Sequence, residues 1–150
     1  MVIKMNSNNC SQNFSNPIIT FKDRGNPQQL TIHNPNLYEV IKTRVDSCMI
    51  VNGLRCDFMM EIVDRNYLGK FREYYIELKG TDLTKALDQI LATEKILAKP
   101  ENRGCSKKGF IICNRSPGST TENQKLMHRA RAKNIKLTIK SKKLDYYIVD

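Results

Sequence analysis

The chain has 150 residues, 40% of them hydrophobic, which suits one domain with its own core and no need for disulfide staples. No run approaches the roughly 18 apolar residues of a membrane span, and the opening MVIKM is too short for a signal peptide. A membrane partner is therefore not expected. Five cysteines without CxxC spacing, three of them (Cys48, Cys56, Cys113) inside apolar runs, argue against zinc and for a reducing, cytoplasmic setting. Charge is uneven: residues 1–98 carry 12 basic and 11 acidic residues, and residues 99–150 carry 13 and 4. That excess suggests a polyanion partner for the C-terminal third.

Residues 1–16 hold five Asn and three Ser and read as a flexible polar arm before a single domain over 17–150. PIITFKD and LTIHN predict two strands joined at the turn cluster 24–27. In LYEVIKTRV, the spacing of Leu37, Val40, Ile41 and Arg44 predicts a helix over 36–43. SCMIV over 47–51 predicts a strand ended by Asn52-Gly53, a hairpin signal. LRCDFMMEIV and GKFREYYIELKG continue it as a three-strand antiparallel meander. A long helix follows, capped by Thr81 or Asp82, with Leu83, Ala86, Leu87, Ile90, Leu91, Leu97 and Ala98 on one face, and Pro100 stops it.

GFIIC then predicts a buried strand lying parallel to the last strand of the meander. Ser119 and Glu122 form a capping-box pattern opening a helix to about residue 133, with Asn134 as a left-handed stop. IKLTIK and LDYYIV close the chain as two strands. The expected class is α/β, with a mixed central sheet flanked by helices.

A turn centred near Tyr67 pairs residues of the second and third meander strands whose numbers sum to about 134, which sets Asp57 across from Glu77. Asp57, Glu77 and Lys79 share parity and therefore one face of the sheet. Facing carboxylates repel, and the repulsion calls for a positive group: either Lys79 in a salt-bridged patch, or a divalent cation such as Mg²⁺. The helix that follows would point its free N–H groups toward an anion at the same end.

Asp57 followed about twenty residues later by Glu77-Leu78-Lys79, on consecutive strands, resembles the PD-(D/E)xK, or restriction endonuclease-like, nuclease superfamily. CDFMMEI…YYIELKGTDLTKALDQI looks most like small bacterial or mobile-element members whose activity is uncharacterised. The resemblance covers residues 36–113 and departs from the motif's name at Cys56, which stands where the proline would be. It implies a restriction-endonuclease-like core of helix, three strands, helix and strand. It also implies a Mg²⁺ ion, for which Mn²⁺ can substitute, held by Asp57 and Glu77, with the Leu78 carbonyl as a further ligand. Lys79 would be the catalytic lysine, Glu39 an additional acidic ligand on the first helix, and Gln89 a glutamine near the metal. Asp46 is a reserve ligand.

The implied activity is hydrolysis of DNA phosphodiester bonds by an activated water, with a homodimer as a possible assembly. Arg115, Lys125, Arg129, Arg131, Lys133, Lys140 and Lys142 are the candidate nucleic-acid contacts, suited to phosphates and not to base reading. A catalytically inactive nucleic-acid-binding or assembly module with the same fold is the alternative, and a basic regulatory protein meeting an acidic partner is a third reading. Tyr74, Tyr75, Tyr146 and Tyr147 read as core or sheet face, and His33 and His128 as ordinary residues.

Overall fold

The apolar alternation of the chain resolves into two sheets and two helices in a computed structural model that describes residues 10–80, 82–114 and 120–149. The strands are β1 (Ser11–Phe14), β2 (Ile18–Lys22), β3 (Gln29–His33), β4 (Val40–Arg44), β5 (Phe58–Val63), β6 (Phe71–Gly80), β7 (Lys107–Cys113), β8 (Ile135–Ser141) and β9 (Lys143–Tyr147). The helices are α1 (Leu83–Leu97) and α2 (Thr120–Arg131). A six-stranded mixed sheet has the order β1-β4-β5-β6-β7-β8, and a three-stranded sheet has the order β2-β3-β9. The mixed α/β class is as expected. The six-stranded sheet is antiparallel through β6, and β7 runs parallel to β6 as its sequence position predicts.

Several expectations need correction. Residues 36–43 are not a helix: Leu37 takes φ +52° and Val40–Arg44 form strand β4. Val40, Ile41 and Thr43 are β-branched, and β5 offers them a partner, which outweighs a helical spacing of only four positions. The predicted strand over 47–51 is instead part of the connection between β4 and β5, where Ser47 has φ +61° and Gly53 φ +83°. The meander survives with its first strand moved about seven residues earlier.

Helices also do not flank both faces of the large sheet. One face carries α1 and α2, and the other is covered by the small sheet, so Phe21, Leu30 and Ile32 pack with Phe58, Met60, Tyr74, Ile76, Leu78 and Phe110. The helical face buries Met59, Tyr75, Ile111, Ile135 and Leu137 against Leu83, Ala86, Leu87, Ile90, Leu126 and Ala130. The α1 stripe follows the predicted spacing, and each Leu or Ile buried in it contributes about 1.5–3 kcal/mol relative to exposure. Asp82 caps α1, its carboxylate accepting the Lys85 N–H at 3.0 Å. Asn134 takes φ +61° just past α2, as predicted.

The polar arm is partly structured. Ser11–Phe14 pair with β4, and Ser11 and Thr43 share a hydroxyl–hydroxyl bond of 2.7 Å. Cys10 is joined to Cys48 by a disulfide with its Cα atoms 5.7 Å apart. This overturns the reading of Cys48 as a simple apolar filler, and a disulfide runs against the reducing compartment inferred from composition. Among the described residues no helix is long and apolar enough to cross a membrane.

Candidate metal centre

The register of the β5–β6 hairpin decides whether two acidic side chains can meet. Phe58 lies opposite Ile76 and Met59 opposite Tyr75, the sum of 134 that the turn position predicts. Asp57 precedes β5 by one residue and therefore falls at the level of Glu77. The ladder frays there, and side chains take over its hydrogen bonds. The Asp57 N–H reaches both the Ile76 carbonyl at 3.1 Å and Glu77 Oε1 at 3.1 Å. In return the Leu78 N–H donates to Asp57 Oδ2 at 2.8 Å. Each carboxylate thus grips the other strand's backbone, and both are 4% exposed. These bonds to backbone amides fix the orientation of both carboxyl groups.

The approach to Asp57 is fixed from both sides. The Val45 and Asp46 N–H groups donate to the Asp57 carbonyl at 2.9 and 3.3 Å, which ties the β4 end of the connection to the site. From the helical side, Gln89 Nε2 donates to the Arg55 carbonyl at 3.0 Å, and the Cys56 N–H donates to Thr93 Oγ1 at 2.8 Å. Gln89 therefore acts on the backbone two residues before Asp57. Thr93 does the same one residue before it, a role that its place on the buried stripe of α1 did not advertise.

Cys56 is fully buried, and burial pushes its thiol up to about 12, with the charges of Glu77 and Asp57 pushing the same way. It stays protonated at neutral pH. The cysteine in the proline position thus behaves as packing.

Other candidates fall elsewhere. Glu39 precedes β4, and its carbonyl accepts the Val63 N–H at 3.0 Å at the opposite end of β5 from Asp57. Six strand residues separate the two positions, about 20 Å at 3.3 Å per residue, so Glu39 is not a ligand of this site. The reason is the missing helix: as a strand, this segment runs lengthwise along β5 and carries its acidic residue to the far end. Asp46, the reserve, has its backbone beside Asp57, and its carboxylate pairs with Arg55 at 2.8 Å.

Leu78 has its side chain in the core between the sheets, while its N–H serves Asp57. Lys79 is in β6, where the pairing with β7 shifts register between Leu78 and Gly80. Such a bulge interrupts the two-residue alternation, so parity with Glu77 no longer fixes where position 79 points. The Lys79 side chain and Arg115 lie outside the described residues.

The basic residues do not share one face. α2 is 12 residues long, about 18 Å, and carries Lys125 within it and Arg131 at its end. Arg129 pairs with Asp88 of α1. Lys133 and Arg131 sit near the start of β8, while Lys140 and Lys142 sit at its finish, the end nearer Asp57 and Glu77. Tyr74 and Tyr75 are core, as expected, and Tyr147 stacks on His33 at 4.2 Å.

The donor set suits a hard cation poorly supplied with protein ligands. Among the described residues, no group of three or more His, Cys, Asp or Glu side chains converges. Two buried carboxylates at the same level of the hairpin are oriented by backbone amides, and Mg²⁺ is commonly held by one or two carboxylates, with waters and substrate phosphates completing its shell. No protein-family model, no curated protein and no solved structure matches the chain.

Proposed function

We propose that the protein is a metal-dependent nuclease of the restriction endonuclease-like kind, cleaving phosphodiester bonds of DNA at Asp57 and Glu77. The observation that carries this reading is the reciprocal grip of the two carboxylates across the β5–β6 hairpin, at 3.1 and 2.8 Å, at the end of the sheet where β6 gives way to the capped start of α1. Carboxyl ends of parallel strands are the usual ligand-binding edge of open α/β sheets, and β6, β7 and β8 all end on this side. The order of meander, helix and parallel strand also supports the resemblance, although β4 is the first strand of the meander and strand β3, not a helix, precedes it.

Asp57 and Glu77 would hold Mg²⁺, which when bound supplies Lewis-acid polarisation of the phosphate and a more acidic water. The chain itself contributes fixed carboxylate orientation through the Leu78 and Asp57 amides. Lys79 is proposed as the residue that stabilises charge building on the phosphate. Incubating supercoiled, linear, branched and single-stranded DNA, and RNA, with Mg²⁺, Mn²⁺ or EDTA tests the reading. Cleavage that needs the metal and vanishes in Glu77→Gln supports it, and cleavage that persists in that variant rejects it.

One observation favours a second reading, a binding module without catalysis. The net charge of residues 99–150 is +9, and the cations of this segment extend well beyond the acidic pair. That reading gives salt-sensitive binding with no cleavage under any divalent ion.

A further inference from the structure

The ends of β7 and β8 far from Asp57 and Glu77 gather cations in an unusual way. The strands are parallel, and Lys108 lies beside Lys136 on the same face, a like-charge pair on neighbouring strands. Arg131, at the end of α2, and Lys107 complete the rim of a cavity of about 310 Å³ that Ser106 and Asn134 also line. A second cavity of about 580 Å³ shares Lys107 and Asn134 and adds Lys99 and Arg103.

Some of these charges are already matched. Lys107 pairs with Glu94 at 2.7 Å, and Lys99 with Glu61 at 3.0 Å. Among the described residues, no carboxylate stands within ion-pair distance of Lys108, Arg131, Lys136 or Arg103. Lysines alone on β8 could be explained as protection of an open sheet edge against pairing with another chain. Lys108 is on an interior strand and Arg131 on a helix, so edge protection does not account for them.

We propose that this end of the sheet is a second polyanion contact that binds the phosphate backbone of duplex nucleic acid, separate from the acidic pair. The proposal rests on the reading that the protein acts on nucleic acid. Neither cavity has an aromatic residue in its lining. Acidic protein partners usually dock on aromatic and aliphatic anchors with few lysines, and single strands on stacking platforms. Lysine, arginine, serine and asparagine around Ile135, with the Lys108 ammonium 5.7 Å from the centre of the Tyr146 ring, suit a phosphate backbone read without sequence. Lys107 pairs with Glu73, four residues before Glu77, so the two contacts are about 13 Å apart along the strands. A duplex shorter than about four base-pair steps, at 3.4 Å each, therefore cannot reach both.

The test is binding of a duplex of about 30 base pairs in EDTA across a salt series, comparing wild type, Lys108→Gln/Arg131→Gln/Lys136→Gln and Asp57→Asn. Each neutralised phosphate contributes about 0.9 to the slope of log affinity against log salt, so the triple variant should lose about 2–3 from that slope and bind roughly tenfold or more weakly at moderate salt. Asp57→Asn should keep the wild-type slope. In Mg²⁺ the triple variant should raise KM for the long duplex and leave kcat near wild type.

An unchanged slope and affinity in the triple variant overturns the proposal while leaving the nuclease reading intact. So does self-association of Lys136→Gln with unchanged binding, which would identify edge protection. Poly-glutamate that competes as well as DNA, and is lost equally in the triple variant, would assign the surface to an acidic protein instead. A wild type that binds with the expected slope change but never cleaves sinks the catalytic reading and supports this one.

Discussion

Two acidic pairs lie on the same face of one hairpin, four residues apart, and they are held in different ways. Glu61 sits directly opposite Glu73, just as Asp57 sits at the level of Glu77. Around the first pair the protein assembles side chains. Lys99 Nζ meets Glu61 at 3.0 Å, and Asn102 Nδ2 and the Lys99 N–H donate to Glu73 Oε2 at 2.8 and 3.0 Å. The Tyr75 hydroxyl donates to Glu73 Oε1 at 3.0 Å, and burial together with that carboxylate pushes the phenol well above its ordinary range. Glu73 is wholly buried. It works as a staple that binds the turn after α1 to the sheet. Around the second pair the strand backbone supplies two amides, Asp57 N–H to Glu77 and Leu78 N–H to Asp57, which orient the carboxylates. Like-charged pairs on a sheet are thus not equivalent: the groups gathered around Glu61 and Glu73 brace the fold, while the proposed function assigns Asp57 and Glu77 to a metal ion.

On the proposed nuclease reading, the largest expected effect separates the two pairs by activity. Asp57→Asn or Glu77→Gln keeps shape and most hydrogen bonds and should lower Mg²⁺-dependent cleavage by roughly a thousandfold or more, given the several kcal/mol a bound metal supplies. Thermal unfolding without metal should move little. If the isosteric variants cleave like wild type, the two pairs do not differ in function.

Glu73→Ala should show the converse. It strands the Tyr75 hydroxyl, the Asn102 amide and the Lys99 N–H in the interior and leaves Lys107 with Glu94 alone. Breaking a buried, hydrogen-bonded charge typically costs about 3–5 kcal/mol, measurable by urea denaturation. Cleavage per folded molecule should remain at saturating Mg²⁺. A Glu73→Ala protein as stable as wild type would mean that the network is decoration.

The contrast between the pairs also marks the limit of what could be read in advance. The register that brings Asp57 to Glu77 followed from one turn position and the apolar alternation of Phe58–Val63 and Phe71–Gly80, which are local signals. The same arithmetic puts Glu61 opposite Glu73. The sequence alone could not rank the pairs, because Lys99, Asn102 and Lys107 reach Glu73 from more than 25 residues away. The capped helix α1, the parallel strand β7 and the left-handed Asn134 were legible for the same reason: cap, stripe and stop lie within a few residues of one another.

What failed was non-local. β4 became a strand because β5 and β1 pair with it, and β1 itself is a polar segment whose partner, Thr43, lies 32 residues on. The small sheet joins β3 to β9 in parallel across more than a hundred residues, so the second face of the large sheet was invisible to a window-based reading. Glu39 lies at the far end of β5 because its segment pairs there as a strand.

The disulfide gives the next smaller effect. Cys10–Cys48 closes a loop of 38 residues between the edge strand and the connection whose Val45 and Asp46 amides hold Asp57. Removing a bridge of this span by Cys10→Ser, or by a dithiol reductant, should lower stability by about 2–4 kcal/mol. The loss should be the same in an Asp57→Asn background, since the bridge acts on the frame and not on the carboxylate. Equal unfolding midpoints with and without reductant would remove the bridge from the account.

The smallest effect discriminates most finely between the two ways of holding a carboxylate. Gln89 acts two residues back from Asp57 along the chain. It donates to the Arg55 carbonyl, and Thr93 accepts from the Cys56 amide, so α1 fixes Asp57 through the backbone leading into β5. Gln89→Leu removes one part-buried hydrogen bond, a loss of about 0.5–1.5 kcal/mol in stability. Because productive metal geometry tolerates little displacement, kcat should fall further than that stability change alone would suggest, with KM for DNA unchanged. Lys99→Met, which loosens the Glu61 side of the bracing network, should leave kcat where it was. A Gln89→Leu enzyme with wild-type kcat would show that Asp57 is positioned by the hairpin's own amides alone, and that the helix serves only as cover.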